Sequence, residues 1–268
     1  MIGDVHACAS ELERLLEVLA PGDGDRVIFV GDLVDRGPDI RRAFELVRSV
    51  RGELVLGNHE DKLLRWRDGR PGEHGTTVRL APHHKLTVEA LRPEDWVTME
   101  SARPFVELPE HDTLVVHGGL RPGVPPSEQD PYDLCRLQCV GPTGRRRKMG
   151  TEGAWFWAER CDYPGRVVYG HTVFREPHRV GRTLGIDTGC CFGGCLTAVE
   201  LPGERLHQVK AERNYAWEML QEFYPMRAEA VRRRFGLDQA GERREPAESR
   251  SGGAGGEETT HHDEGDRE

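Results

Sequence analysis

Three short polar segments recur along this chain at an even pitch: Gly3-Asp4-Val5-His6, Gly31-Asp32-Leu33-Val34-Asp35-Arg36-Gly37 and Gly57-Asn58-His59-Glu60. Asp32 follows His6 by 26 residues, and Asn58 follows Asp32 by 26. That pitch is about one strand–helix repeat, and the stretches between the segments agree with it. Leu12, Leu15, Leu16 and Leu19 make an apolar stripe that predicts a helix over 9–20, with Ser10 as its cap and Pro21-Gly22 as its stop. Arg26–Val30 is a nearly continuous apolar run, as expected of a strand buried on both faces. Ile40, Ala43, Phe44 and Val47 repeat the helical pattern over 39–50, Glu53–Leu56 reads as a second strand, and a helix begins at Asp61. Such alternation predicts an α/β layered sheet with the polar segments at the carboxyl ends of strands, where open sheets bind ligands.

Two later histidines fit the same scheme. His117 in His-Gly-Gly follows Leu114-Val115-Val116, and His171 in Gly-His-Thr follows Val167-Val168-Tyr169. The region 70–110 reads as irregular helix, and 121–166, rich in Pro, Gly and Arg, as long loops. Segments 184–187, 195–201 and 205–211 read as closing strands of a second sheet, and 214–235 as a C-terminal helix. Domain organisation follows as one domain over 1–237 and a disordered acidic tail over 238–268, where Gly, Glu and Ser dominate. Only Met1-Ile2-Gly3 precede Asp4, short for a central strand, so a start upstream is expected.

Bulk properties exclude several classes. The chain has 268 residues and net charge −9, of which −5 falls in residues 241–268. The remainder is mildly acidic, which argues against a stable nucleic-acid partner. No apolar run approaches the ~20 residues of a membrane span, and no secretory signal opens the chain; a cytoplasmic protein without membrane contact is expected. Seven cysteines lack the paired spacings of zinc knuckles and read as reduced, mostly buried thiols.

Carboxylate and imidazole donors together suit Mn, Fe or Zn, whereas Mg or Ca favours oxygen alone. Asp4 and His6, two apart in an extended segment, can grip one ion, and the two oxygens of Asp32 can bridge to a second. A single Asp-x-His is ordinarily a turn, and a single Asp-Arg pair ordinarily a salt bridge. Here the pattern recurs five times at strand ends. The five segments, in this order, closely resemble the phosphoprotein phosphatase family of calcineurin-like metallophosphoesterases, and the resemblance spans residues 3–200. It implies a sandwich of two mixed β-sheets flanked by helices. It also implies a pair of divalent cations, Mn first with Fe or Zn as alternatives, and places Asn58, His117 and His171 on the second ion. Two ions about 3.5–4 Å apart clamp a phosphate and lower the pKa of bridging water from ~15.7 to about 7, so that hydroxide attacks phosphorus.

The same resemblance gives His59 the role of general acid, typically ~10²–10⁴-fold. Asp35 orients that imidazole and keeps it protonated, and Arg36 offers a planar fork to phosphate oxygens. Arg160, in Trp157-Ala158-Glu159-Arg160, resembles the Trp-x-Arg of phage-type protein phosphatases with one extra residue, and is carried as a second phosphate-binding arginine. Ala7 stands where the family has Gly, so a slightly different turn, or no need of glycine, is expected there. His74, His83, His84, His111, His178 and His207 are assigned no role, and Trp155, Phe156 and Trp157 are assigned to the core. The run Arg145-Arg146-Arg147-Lys148 is ordinarily a solvated loop, its functional reading being a collar for polyanionic substrates.

Two substrate classes share these motifs. Asp35-Arg36 resembles the serine/threonine protein phosphatases and makes a phosphomonoesterase acting on phosphorylated protein the first reading. Ile186–Thr197 resembles the tail signature of the symmetric diadenosine tetraphosphatases, which makes a dinucleoside polyphosphate substrate, cut to ADP, the alternative. A nucleic-acid phosphodiesterase and an inactive phosphate-binding protein rank behind both.

Overall fold

The computed structural model describes residues 1–235 and Gly241. In chain order the elements are α1 (Ala9–Leu19), β1 (Ile28–Phe29), α2 (Ile40–Ser49), β2 (Glu53–Leu54), α3 (Asn58–Arg67), α4 (Pro82–Ala90), α5 (Pro93–Glu100), β3 (Phe105–Leu108) and β4 (Thr113–Val116). There follow α6 (Pro131–Leu134), β5 (Cys139–Val140), β6 (Arg146–Arg147), β7 (Trp155–Phe156), β8 (Arg166–Tyr169), β9 (His178–Val180) and β10 (Thr183–Gly185). The described elements close with β11 (Cys195–Glu200), β12 (Arg205–Lys210), α7 (Tyr215–Phe223) and α8 (Pro225–Phe235).

The first sheet is held together by the three residues that open the chain. Ile2 pairs parallel with Phe29 and antiparallel with Ala198, joining the parallel pair β1–β2 to the antiparallel pair β11–β12. Backbone bonds run from Ile2 N–H to Ile28 C=O (2.8 Å) and from Gly3 N–H to Thr197 C=O (2.9 Å). The second sheet has the order β3–β4–β8–β10–β9, parallel at its centre and antiparallel at both edges. Both sheets are mixed, as the family resemblance implied.

The sheets face one another across a core of Ile28, Val30, Val55, Val106, Val115, Val168, Leu184, Ile186 and Val199. Each such side chain contributes about 1.5–3 kcal/mol on burial. On the outer face of the first sheet, Leu12 and Leu15 of α1 pack with Ala43, Phe44 and Val47 of α2 and Leu63 of α3. On the outer face of the second sheet, Trp157 and Tyr169 sit in a cluster with Leu114, Val116 and Phe156. The core assignment of Phe156 and Trp157 therefore holds, with Trp155 half-buried.

Several expectations change. The N-cap of α1 is Cys8, without a side-chain bond, and Ser10 lies inside the helix. Helix α3 starts at Asn58, not Asp61: Gly57 breaks the strand, and Glu60 and Asp61 suit the positive helix end. Residues 121–166 are not merely loops, since β5 pairs with both β6 and β7 in a small sheet. The three closing segments divide between the sheets, β10 in the second and β11–β12 in the first. The C-terminal helix is two helices, because Pro225 cannot continue α7. The tail over 238–268 lies outside the described residues, Gly241 apart.

Candidate metal centre

Strand ends from both sheets converge on Asp32. Met1–Gly3 delivers Asp4 and His6, β1 delivers Asp32, β2 delivers Asn58, β4 delivers His117, and β8 delivers His171. The turns there are tight. Of ten non-glycine residues with positive φ among the described residues, six belong to this site: His6, Ala7, Asp32, Asp35, Arg36 and His171. Left-handed backbone costs such residues about 1–2 kcal/mol each, so strain is concentrated at the cluster, as is common at functional sites. Ala7 itself adopts φ 55°, so alanine accepts the conformation that glycine would take more cheaply. Gly31, at φ 106°, has no such latitude: a Cβ there would stand 2.6 Å from His117 Nδ1.

Asp32 is buried, with its oxygens 3.6 Å from His6 Nε2 and 3.3 Å from His117 Nε2. His117 Nε2 is also 3.2 Å from Asn58 Oδ1. Ligand atoms of Asp32, His117 and His171 all lie within 4.8 Å of one another, and so do those of His6, Asp32 and His59. Two ligands each about 2.1 Å from one ion stand roughly 3–3.5 Å apart, so these spacings fit cation binding. The imidazoles are set for it. His6 Nδ1–H donates to Val34 C=O (2.9 Å) and His117 Nδ1–H to Val30 C=O (2.9 Å), which aims both Nε2 atoms at Asp32. Asp4 is likewise buried, its carboxylate accepting the His171 backbone N–H at 3.1 Å.

Electrostatics give the same answer. Burial pulls the His117 imidazole down, yet the Asp32 and Asp4 carboxylates outweigh it and lift it to about 10. Burial, followed by the charges of Asp187 and Asp32, raises the Asp4 carboxyl well above the usual range. Burial and the His117 charge take His171 down to about 3. The cluster calls for positive charge between its carboxylates, and its mixed oxygen and nitrogen donors suit Mn, Fe or Zn. Another group of donors, Cys8, Glu11 and Cys190, is fully buried; Glu11 Oε1 accepts from Tyr215 O–H (2.9 Å) and Glu212 N–H (2.9 Å), and its Oε2 has no hydrogen-bond partner among the described residues.

Beside Asp32 lies the second half of the site. His59 Nδ1–H donates to Asp35 Oδ2 at 2.6 Å, which leaves Nε2 facing inward. Burial opposes ionisation of Asp35, but the hydrogen bond and charge of His59 hold its carboxyl below the usual carboxylate range. Arg36 extends its fork between two imidazoles, 2.6 Å from His6 Nε2 and 3.1 Å from His59 Nε2. The Phe192 ring lies 5.0 Å below the guanidinium, so the 186–197 segment supports Arg36 directly.

Arg160 is exposed and stacks on the Trp155 ring at 4.5 Å, in the turn after β7. Another arginine touches the site. Arg136 donates to the Asn58 carbonyl (3.2 Å), pairs with Asp61 (2.7 Å) and shares a groove with His171. Glu60, named in its motif but given no role, accepts three backbone N–H bonds from Asp32 (2.9 Å), Leu33 (2.8 Å) and Val34 (3.0 Å). His84 and Thr87 were also missed. Thr87 O–H donates to Asp35 at 2.5 Å, and His84 stands 3.6 Å from the same carboxylate. The three-residue spacing of His84 and Thr87 on one helix was the only signal, and it is generic.

Comparison with known proteins agrees with this geometry. A family model for calcineurin-like phosphoesterases matches residues 1–185. A protein of Geobacillus sp. (strain WCH70) named bis(5'-nucleosyl)-tetraphosphatase PrpE [asymmetrical] is 31% identical over 241 residues, 83% of this chain and 98% of its own length. One of Halalkalibacterium halodurans with the same name is 35% identical over 223 residues, 75% of this chain and 89% of its own. A crystal structure described provisionally as a diadenosine tetraphosphatase superposes with a TM-score of 0.68 at 26% identity, covering 78% of this chain and 91% of that one. With five motifs meeting at one buried aspartate and these likenesses along most of its length, the chain belongs to the calcineurin-like phosphoesterases.

Proposed function

We propose that this protein is a bis(5'-nucleosyl)-tetraphosphatase, carried by a single domain over residues 1–237, that cuts the four-phosphate bridge asymmetrically into a nucleoside monophosphate and a nucleoside triphosphate. Its family makes it a metal-dependent phosphoester hydrolase. The observation that carries the finer reading is the shared name of relatives aligned along 75–83% of the chain. The serine/threonine phosphatase reading gives way to it. That reading rested on Asp35-Arg36, and Asp35 is occupied in orienting His59, a task common to many phosphoester substrates. The relatives' asymmetrical designation also replaces the symmetric cut to ADP as the proposed outcome.

The residues divide the work as follows. Asp4, His6, Asp32, Asn58, His117 and His171 would hold two divalent cations, with Mn proposed first and Fe or Zn as alternatives. When bound, such ions supply a Lewis-acid clamp for phosphoryl oxygens and activation of water. The two N–H arms of Arg36 bind non-bridging oxygens as a planar fork. His59, oriented by Asp35 through Nδ1–H, would act as the imidazolium, giving its Nε2 proton to the departing oxygen and leaving the neutral Nδ1–H ring. No helix among the described residues is long and apolar enough to cross a membrane.

The test is product chromatography of diadenosine tetraphosphate digested with the Mn-supplemented enzyme. AMP and ATP in equal amounts are expected. ADP alone would make the cut symmetric, and phosphate from a phosphoserine peptide without any nucleotide turnover would overturn the proposal.

A further inference from the structure

A groove of about 530 Å³ opens beside the candidate metal centre on its Asn58 and His171 side, with Arg136, Arg146, Arg147 and Lys148 also lining it. That volume falls within the roughly 300–1,000 Å³ of small-molecule sites. In a chain of net charge −9, four cationic side chains lining one groove are a local inversion. We infer that this groove is a subsite for a polyphosphate chain, holding the phosphates other than the one attacked, with Arg147 and Lys148 as its specificity-determining residues. The inference rests on the tetraphosphatase reading above.

Three features support it. The cations are spaced by a built scaffold: the Tyr132 ring lies 3.9 Å from the Arg136 guanidinium, 5.0 Å from that of Arg146 and 4.9 Å from that of Arg65. Gathering guanidiniums around one aromatic ring offsets part of their repulsion. The charges are also unequally committed. Arg136 is paired with Asp61 (2.7 Å), and Arg146 with Glu73 (2.5 Å), the one carboxylate of the groove. Arg147 donates only to the Arg146 carbonyl (2.9 Å), and among the described residues no carboxylate lies within 4 Å of Arg147 or Lys148. Two uncommitted cations thus line the groove. Finally, the hairpin β5–β6, with Cys139 opposite Arg147 and Val140 opposite Arg146, anchors these residues through buried Cys139 and Val140. A phosphoester with a single phosphate, clamped at Asp32, would leave the groove unfilled; a chain of phosphates leaving the same point carries one negative charge or more per unit into it.

Inorganic tripolyphosphate is the probe, as a competitive inhibitor of p-nitrophenyl phosphate hydrolysis by the full Mn-loaded chain. The variants are Arg147→Gln, Lys148→Gln and their double, with Arg182→Gln, an exposed arginine of the β9–β10 turn 3.6 Å from Asp112, as the charge control. The double variant is expected to raise the tripolyphosphate inhibition constant about ten-fold or more. It should lower, by a similar factor, the ratio of kcat/KM for diadenosine tetraphosphate to that for p-nitrophenyl phosphate. An unchanged inhibition constant, or an equal shift in Arg182→Gln, overturns the subsite. Loss confined to a phosphoserine peptide overturns it too, and gives the groove to an acidic peptide. Wild-type enzyme that binds tripolyphosphate through these residues but turns over no tetraphosphate would refute the function and leave the subsite standing.

Discussion

Glu60 is the residue whose removal should do most damage for the least change in shape. Its carboxylate is fully buried and accepts three backbone N–H bonds, Oε1 from Leu33 and Val34 and Oε2 from Asp32. Those bonds fix the turn that carries Asp32, Asp35 and Arg36. Glu60→Gln keeps volume and length but puts an amide NH2 where one oxygen was. If the remaining oxygen stays on Leu33 and Val34, the amide nitrogen meets the Asp32 N–H, donor against donor. A lost bond to a charged group costs about 1.5–3 kcal/mol, and a buried unpaired donor about 1–3 kcal/mol. Removing a buried charge returns part of this, so the net loss should be about 2–3 kcal/mol. With a urea slope of roughly 2 kcal/mol/M, the unfolding midpoint of metal-free protein should fall by about 1 M. A small shift of Asp32 should also lower kcat by about 10²-fold. Urea melts followed by tryptophan fluorescence, paired with turnover in saturating Mn, measure both. A midpoint within about 0.2 M of wild type with undiminished turnover would refute the reasoning.

Other expectations follow from the same geometry. In Gly170→Ala the new Cβ would stand 2.1 Å from Asp4 Oδ1; the variant should keep its far-ultraviolet circular dichroism but bind Mn at least ten-fold more weakly by calorimetry, and unaltered affinity would contradict the placement of Asp4. His59→Asn should retain its metal yet slow a phosphomonoester with a poor leaving group far more than p-nitrophenyl phosphate; equal losses on both would remove the acid role. Mn at a hundred-fold excess over its dissociation constant should stabilise the fold by ~2.7 kcal/mol per site, raising Tm by roughly 5–11 °C per site at 2–4 °C per kcal/mol. Chelator should reverse that shift in differential scanning fluorimetry, and an unmoved Tm would speak against ion binding here.

The convergence of these side chains was legible because each motif is local and follows an apolar strand. Asp32, His117 and His171 needed only the pattern of a buried run ending in a polar turn to be placed together. What failed was long-range. Arg136 reaches the Asn58 carbonyl across 78 residues, and no local motif in the sequence marks it. Thr87 meets Asp35 across 52 residues from a helix that otherwise looks generic. Short strands also escaped: β5, β6 and β7 are two residues each, too short for a period of two to register. Sheet membership of β10 and β11 could not be read at all, because the register that separates them is set by Met1–Gly3 at the other end of the chain.

The central claim is that Asp32 joins two cation sites, one on the His6 side and one on the His117 side. Equilibrium dialysis against Mn, with metal and protein counted by mass spectrometry, tests it most directly. The account predicts two ions per wild-type chain and at most one in Asp32→Asn. A wild-type chain that saturates at one ion, or an Asp32→Asn chain that still holds two, would contradict it.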